Sequence, residues 1–213
     1  HRESRGLGDV YKRQGLHLDH CELWINPSNP NHLALGNDGG LFVSYDKGNS
    51  WLHYNNLPTG EFYDIELDYK KPYNIYGGTQ DDATVFGPAK EWRNEFNDPW
   101  KYLWIDAWDG GDGCITRVDP NDSSILYFSM QNGAIRRKNL MTEKSKSIKP
   151  ILPDYINDTL KYNFITPYFI SYHNSNSLYH AGNYIFKSEN KGENWKVVSL
   201  SLIHISEPTR LTM

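Results

Sequence analysis

The chain has 213 residues with a formal charge of −4 and no clustered Lys/Arg surface, so it gives no electrostatic reason to expect nucleic acid as a partner. It contains no apolar run of about 18 residues, which excludes a membrane-spanning helix. Aromatic residues make up 14% of the chain and Gly, Asn and Asp recur every few residues, a composition that favours short strands joined by tight turns.

The two ends of the chain differ in character from its middle. Residues 1–14, HRESRGLGDVYKRQ, and residues 201–213, SLIHISEPTRLTM, lack the alternation of aromatic and turn residues that runs through the rest. Both resemble read-through of sequencing adaptors, so we expect them to be non-native or disordered tails. The fold prediction therefore concerns residues 15–200.

A repeated pattern occupies this middle part. A polar turn rich in Pro or Asn, a short apolar run, a turn of small or amide residues and a second apolar run recur four times, starting at Asn26, Asp68, Asp119 and His173. Matching runs are spaced by roughly 42, 51 and 52 residues, which is in or just above the range of four-stranded propeller blades. The repeat predicts a series of similar antiparallel sheets.

One more strand precedes each repeat, and another follows it in the first, second and fourth. In the leading strand at 62–67, the apolar residues Tyr63, Ile65 and Leu67 alternate with acidic ones, which predicts a half-exposed strand with its acidic face in water. The sequence thus predicts an all-β fold, a β-propeller fragment of about four four-stranded antiparallel blades. The expected blade ranges are about 20–56, 60–107, 113–150 and 166–200.

Two stretches share a Ser, an Asp or Asn, a Gly and a Trp at fixed spacing. SYDKGNSW at 44–51 lies in the last hairpin of the first blade, and SENKGENW at 188–195 holds the same place in the fourth. The Asp side chain can accept backbone N–H groups across the turn, the Gly permits a positive φ and the Trp packs its ring. We therefore predict a structural hairpin clasp at Ser44, Asp46, Gly48, Trp51, Ser188, Asn190, Gly192 and Trp195.

This clasp resembles the Asp-box of BNR-type propellers. Together with HLDHCELWINPSNP, NNLPTGEFYDIELDY and DGGDG, it makes residues 15–200 similar to bacterial secreted proteins with sortilin/VPS10-like and BNR repeats. The resemblance implies a multi-bladed propeller, and members are often labelled glycosyl hydrolases. It also implies an extracellular, cell-surface or periplasmic location and a longer parent chain that supplies the remaining blades.

Propeller geometry brings distant turns together. Connections between the second and third strands of a blade, and between successive blades, emerge at one end of the strands, here called the channel face. Polar groups that converge at such a face are typical of a binding site. The predicted members are His17, Asp19, His20, Asp38, Gln80, Asp81, Asp109, Asp112, Gln131 and Asn132.

Several uses of the channel face are open. Backbone angles alone can explain the Asp38-Gly39 and Asn132-Gly133 turns, since these are favoured hairpin pairs. A metal could use His17, Asp19 and His20, but a hydrogen-bonded histidine pair explains them better, so we predict no metal and no cofactor.

The remaining choice is between binding and hydrolysis. A binding module would add exposed aromatic rings, predicted at Phe62, Trp108 and Tyr184, and hold a polysaccharide or protein ligand. An inverting glycoside hydrolase of the xyloglucanase-like kind would instead use Asp38, Asp81 or Asp112 as acid and base. We predict a secreted or surface binding module, with no enzymatic activity expected of this piece and the hydrolase as the alternative. The thiols of Cys21 and Cys114 are expected to be small and buried.

Overall fold

The fold is all-β in the part of the chain that the structure describes. A computed structural model of the protein describes residues 16–17, 19–54, 60–91, 99–103 and 111–202. Within these ranges, four successive antiparallel sheets follow the chain order and no helix occurs. These are β-propeller blades, which confirms the fold class that the sequence repeat predicts. No helix of the described residues is long and apolar enough to cross a membrane.

Each sheet has four strands whose spatial order is their order in the chain. The first sheet contains β1 (His20–Ile25), β2 (Leu33–Asn37), β3 (Gly40–Ser44) and β4 (Leu52–Tyr54). The second contains β5 (Phe62–Leu67), β6 (Asn74–Thr79), β7 (Asp82–Pro88) and β8 (Lys101–Leu103), with β9 (Gly111–Asp112) added beside β7. The third contains β10 (Thr116–Asp119), β11 (Asp122–Ser129), β12 (Ile135–Asn139) and β13 (Ser145–Ser147). The fourth contains β14 (Tyr168–Ser171), β15 (Asn174–Ala181), β16 (Ile185–Ser188) and β17 (Lys196–Val197).

The chain divides into two compact units, His1–Gly60 and Glu61–Met213. The first unit holds the first sheet, whose small core of Leu16, Leu35 and Phe42 is covered by the ring of Trp51. The second unit holds the other three sheets.

Within the second unit, the sheets pack face to face through apolar side chains. Tyr76 of the second sheet packs with Leu126 and Phe128 of the third. Tyr127 of the third sheet lies in another cluster with Leu178 of the fourth. The leading strands β5, β10 and β14 also contact one another in that order, as the innermost strands of adjacent blades do.

Strand β9 enters the second unit through a close approach of backbones. It pairs in parallel with β7, so that Asp112 lies opposite Ala83, and the N–H of Gly113 donates to the carbonyl of Thr79 at 2.9 Å. A Cβ on Gly113 would lie 1.9 Å from the Ala83 oxygen, and one on Gly78 would lie 2.0 Å from the Cys114 oxygen. Only glycine fits at these two positions. The close approach of the backbones therefore determines the position of the Asp112 backbone, from which its side chain extends.

A segment without regular strands connects the third and fourth sheets. This segment, residues 148–167, is called the strap. It is held against the turns of both sheets by hydrogen bonds: the Asn183 N–H donates to the Lys161 carbonyl at 2.9 Å, and the Asn132 N–H donates to the Phe164 carbonyl at 3.0 Å. The blade ranges from the sequence leave residues 151–165 unassigned, and the strap fills that interval.

The prediction for the faces of β5 is wrong. Ile65 and Leu67 are 59% and 45% exposed, whereas Asp64 and Glu66 are the more buried residues. The reason is Arg117 on the neighbouring strand β10, whose guanidinium forms ion pairs with both carboxylates. Paired charges can occupy a partly buried face that unpaired carboxylates would avoid.

The two thiols also differ from expectation. Cys114 is fully buried, but Cys21 is exposed on β1, a strand whose six residues are all exposed. The Cys21 Sγ lies 3.7 Å from Oδ1 of Asp38, which follows the paired strand β2. The expectation of a buried Cys21 is therefore wrong.

Candidate functional site

The predicted site residues fall in both units of the chain. His17, Asp19, His20 and Asp38 belong to the first unit. Gln80, Asp81, Asp112, Gln131 and Asn132 belong to the second, and each group is described by itself. Asp109 and Trp108 lie outside the described residues.

In the first unit, Asn37 organises the turn between β2 and β3. Its Oδ1 accepts the N–H of Gly39 at 3.0 Å, and its Nδ2 lies 3.3 Å from both the His17 carbonyl and the Nδ1 of His20. The imidazole of His53 contacts the Gly39 carbonyl at 2.8 Å. The sequence prediction missed Asn37 and His53, although Asn before Asp-Gly is a common turn signal.

The imidazoles of the first unit thus surround a hydrogen-bonded turn. Asp19 has a positive φ of 55°, a backbone conformation typical of turns. In the described parts of the chain, no three His, Cys, Asp or Glu residues are grouped so that they could hold a metal ion.

In the second unit, Asp112 is the centre of a buried polar cluster. The residue is only 4% exposed, and its Oδ2 accepts the hydroxyl of Tyr63 at 2.9 Å. Its Oδ1 accepts the backbone N–H of Asp81 at 3.1 Å, which brings these two predicted site residues together. Burial, together with the hydrogen bond to Asp112, raises the pKa of Tyr63 to about 12, so the phenol remains a donor at neutral pH.

Asp81 and Gln80 form the turn that Asp112 supports. Asp81 has a positive φ of 60°, and the adjacent Gln80 N–H donates to the Glu61 carbonyl at 2.9 Å. Gln131, from the third sheet, reaches the same place. A Cβ on Gly111 would lie 3.4 Å from the Gln131 Oε1, so this amide lies beside the strand that carries Asp112.

The turn at Asn132 is held by the strap. The residue has a φ of 58°, its N–H donates to the Phe164 carbonyl, and its own carbonyl accepts the Lys149 Nζ at 2.9 Å. The backbone of Asn132 is therefore part of the scaffold, while its side chain is exposed.

The expected aromatic platform is only partly present. Phe62 is 43% exposed, but Tyr184 is 7% exposed and its hydroxyl donates to Asp158 of the strap at 2.8 Å. The prediction of an exposed Tyr184 is wrong, because the strap covers it. The strap contributes a different aromatic group, Phe164, which is 52% exposed. Its ring meets that of Tyr63 edge to face, with 6.5 Å between centroids.

Phe164 and its neighbour Ile165, which is 38% exposed, were missed by sequence reasoning. The strap lacks the alternation of a strand, so no periodic pattern marked these residues. A usable signal was the pair Phe164-Ile165 itself, two apolar residues in a polar connection between sheets.

The predicted clasp residues form two turns with closely similar hydrogen bonds. In the first, Asp46 Oδ1 accepts the Ser44 hydroxyl at 2.8 Å and the Ser50 N–H at 2.9 Å, and Gly48 has a φ of 82°. The bonds from Ser50 and Ser44 lower the pKa of Asp46 to about 2. The first ring, Trp51, packs on the core of the first unit.

The second turn repeats this arrangement with an amide. Asn190 Oδ1 accepts the Ser188 hydroxyl and the Asn194 N–H, both at 2.9 Å, and Gly192 also has a φ of 82°. The indole N–H of Trp195 donates to the Ile148 carbonyl at 2.8 Å, which ties the turn to the start of the strap.

The structure contains a cluster of basic residues, which the sequence analysis does not predict. Residues 135–149, which span β12 and β13, carry six basic residues and one acidic residue, and Lys191 of the fourth sheet lines the same groove as three of them. The expectation that basic residues do not cluster is wrong, because the hairpin pairs Arg137 with Lys146, nine positions away, on adjacent strands.

Comparison with known proteins gives structural likeness only. A scan against models of protein families and a search of curated proteins gave no match. Among solved structures, the chain is similar to a GH74 xyloglucanase from Xanthomonas campestris, with 15% identity, a TM-score of 0.42, and coverage of 84% of this chain and 30% of that one. It is also similar to an auxiliary nutrient binding protein from Bacteroides thetaiotaomicron, with 15% identity, a TM-score of 0.42, and coverage of 86% of this chain and 42% of that one. A third similar structure is YCF48 bound to D1 peptide, with 12% identity, a TM-score of 0.42, and coverage of 81% of this chain and 51% of that one. The chain therefore spans between about a third and a half of these structures.

Proposed function

We propose that this chain is a β-propeller module that binds a polysaccharide at the channel face of its second unit. The observation that carries the proposal is the exposed ring of Phe164, which packs on Tyr63 of the Asp112 cluster and so lies beside the polar turns at Gln80-Asp81 and Gln131. An exposed ring offers an apolar surface to the C–H face of a sugar, and amide and carboxylate groups suit its hydroxyls.

The buried polar cluster around Asp112 holds the residues of this site in place. Asp112 holds the Asp81 turn in a left-handed conformation and positions Tyr63, against which Phe164 packs. Residues that fix the rotamers and backbone of a binding site in this way lower the entropic cost of binding. The binding surface is thus supplied by residues on defined turns and by one side chain of the strap.

The hydrolase alternative has less support from the geometry. A general acid or base must come within hydrogen-bonding reach of the substrate, whereas Asp112 is nearly inaccessible and both of its oxygens already accept hydrogen bonds. We propose that Asp112 is a structural carboxylate and that binding does not require hydrolysis. A secreted or cell-surface location for the module is part of the same proposal.

The test compares two exposed phenylalanines. Phe164→Ala removes the proposed platform, and Phe169→Ala removes a ring that is 50% exposed on β14, where it stacks on Tyr179. Binding to neutral polysaccharides such as xyloglucan, a mixed-linkage glucan and a mannan is measured by affinity electrophoresis and calorimetry. Loss of an aromatic contact worth about 1 kcal/mol should weaken binding about fivefold in Phe164→Ala and leave Phe169→Ala unchanged.

Three results would replace the proposal. Equal loss in both variants would show that the ring at Phe164 is not part of the site. Binding to none of the glycans, with capture of an extended peptide that Phe164→Ala abolishes, would assign a protein ligand. Release of reducing ends by the unaltered protein, abolished in Asp81→Ala with the fold retained, would establish the hydrolase.

A further inference from the structure

A groove lies at the ends of the strands opposite to the channel face of the second unit. It has a volume of about 950 Å³ and lies between the β12–β13 hairpin and the Ser188–Trp195 turn. A second depression of about 420 Å³ shares Glu189 and Asn190 with it. The two adjoining depressions, along the third and fourth sheets, are here called the track.

Basic side chains line this track. Arg137, Lys144, Lys146 and Lys191 line the larger depression, and Lys187 and Lys196 line the smaller one. Residues 135–149 alone carry a net charge of +5 in a chain whose total is −4, so the rest of the chain carries −9. The positive potential is therefore local to this hairpin and its surroundings.

The acidic partners in the track are too few to neutralise these cations. Glu193 is shared, since its two oxygens pair with Arg137 and Lys146. Glu189 is likewise shared between Lys187 and Lys196, while the buried Asp119 pairs with Lys191 at 2.7 Å. Six cations against three carboxylates leave an excess of three positive charges. Lys144 takes part in none of these ion pairs, so its charge is available to an added anion.

The uncharged residues of the track indicate the class of anion. Hydroxyl and amide side chains alternate with the cations, at Asn139, Thr142, Ser145, Asn176 and Asn194. No aromatic residue is among those described as lining either depression. Single-stranded nucleic acid is usually held by base stacking on aromatic rings, which this surface does not offer. Sugar hydroxyls and ring sulfates or carboxylates match amide, hydroxyl and ammonium groups.

We propose that this track is a second binding site, specific for an anionic glycan whose sulfate or carboxylate groups contact Lys144, Lys146 and Lys191. It is independent of the neutral-glycan site proposed above, because the two lie at opposite ends of the same strands and share no residue. Its affinity is electrostatic and falls as salt rises.

The test uses heparin as a sulfated probe and polygalacturonate as a carboxylated one. The double variant Lys144→Gln/Lys146→Gln removes two charges of the track and leaves Arg137 as the partner of Glu193. The matched control, Lys90→Gln/Lys161→Gln, removes two exposed lysines elsewhere in the second unit. Binding is measured at several salt concentrations, and circular dichroism and thermal melting verify that all variants fold.

We expect the unaltered protein to bind at least one probe, with an affinity at about 0.1 M salt that the track variant loses at least tenfold and the control retains. The slope of log affinity against log salt should decrease by about 2 in the track variant only. Phe164→Ala should bind both probes unchanged, which separates this site from the proposed polysaccharide site. Preference for heparin or polygalacturonate identifies sulfate or carboxylate as the group bound.

Other results would overturn the proposal. Binding to neither probe at low salt would exclude the site, and equal loss in the track and control variants would reduce it to a general effect of charge. Equal or tighter binding of a single-stranded DNA oligomer would assign the track to nucleic acid. Tighter binding of a polyglutamate peptide would assign it to acidic protein segments.

Discussion

His180 should make this protein acid-sensitive. The residue lies on β15 in the core between the third and fourth sheets and is 1% exposed. Neither ring nitrogen makes a hydrogen bond of ordinary geometry among the described residues, although an interaction with the Gly133 backbone offsets a part of the effect of burial on the pKa. The rings of Tyr162, Tyr168 and Trp195 surround it at centroid distances of 5.3, 6.4 and 6.0 Å. Burial lowers the pKa of His180 from its ordinary value of 6.5 to about 4, and the nearby ammonium of Lys149 acts in the same direction.

The size and sign of the effect follow from these two values. The unfolded chain takes up a proton at His180 near pH 6.5 and the folded chain only near pH 4, so the free energy of unfolding decreases as the pH falls between them. At about 1.36 kcal/mol for each pH unit, the whole loss is about 3 kcal/mol, of which about 2.5 kcal/mol is reached at about pH 4.5. This is a large part of the 5 to 15 kcal/mol, roughly, that stabilises a typical domain.

Urea unfolding at about pH 7 and about pH 4.5 tests this assignment. His180→Leu keeps the apolar volume and removes the titrating ring, so its loss of stability between the two pH values should be about 2.5 kcal/mol smaller than that of the unaltered protein. His173→Leu removes an exposed histidine in the β14–β15 turn and should follow the unaltered protein. The reasoning is refuted if His180→Leu and the unaltered protein lose the same free energy on acidification.

Three further substitutions test the supports of the fold and the site. In Gly113→Ala the new Cβ would lie 1.9 Å from the Ala83 carbonyl oxygen, so the free energy of unfolding should fall by about 3 kcal/mol or more. In the control Gly36→Ala the nearest atom is 4.0 Å away, so this steric loss should be absent. Equal losses of stability in urea unfolding would contradict the close approach. Asp112→Ala leaves the Tyr63 hydroxyl and the Asp81 N–H without their acceptor and should cost about 2 kcal/mol, against a negligible change for the exposed Asp154→Ala; no difference would mean that the cluster is not structural. Asp46→Ala should lower the melting temperature more than Asp46→Asn, because the amide keeps the Oδ1 acceptor that Asn190 uses in the other turn; the reverse order would contradict the clasp.

Short-range patterns carried most of the fold prediction. The repeat of turns and apolar runs predicts strands β2, β6, β11 and β15 and the strand after each of them. It can do so because each repeat unit of turns and runs lies within about 20 neighbouring residues. The Ser44 and Ser188 turns could also be predicted, since the Ser, the Asp or Asn, and the Gly act within a single hairpin.

Contacts between distant residues could not be predicted in this way. The faces of β5 depend on Arg117, which is 53 positions from Asp64, and no local alternation reports that partner. The role of Asp112 depends on Tyr63, 49 positions away, and on glycines that admit β9. The strap has no periodicity, so neither the covering of Tyr184 nor the exposure of Phe164 could be inferred before its hydrogen bonds to the turns were known.

The central claim is that a glycan binds at the channel face of the second unit, and backbone amide chemical-shift mapping tests it most directly. The isotope-labelled protein is titrated with an oligosaccharide from the best-binding neutral polysaccharide. We expect the largest shifts at Gln80 and Asp81, at Gln131 and at Phe164 and Ile165, and we expect them to saturate with a single affinity. Shifts confined to the β12–β13 hairpin or to the Ser188–Trp195 turn, or an unchanged spectrum at saturating sugar, would contradict it.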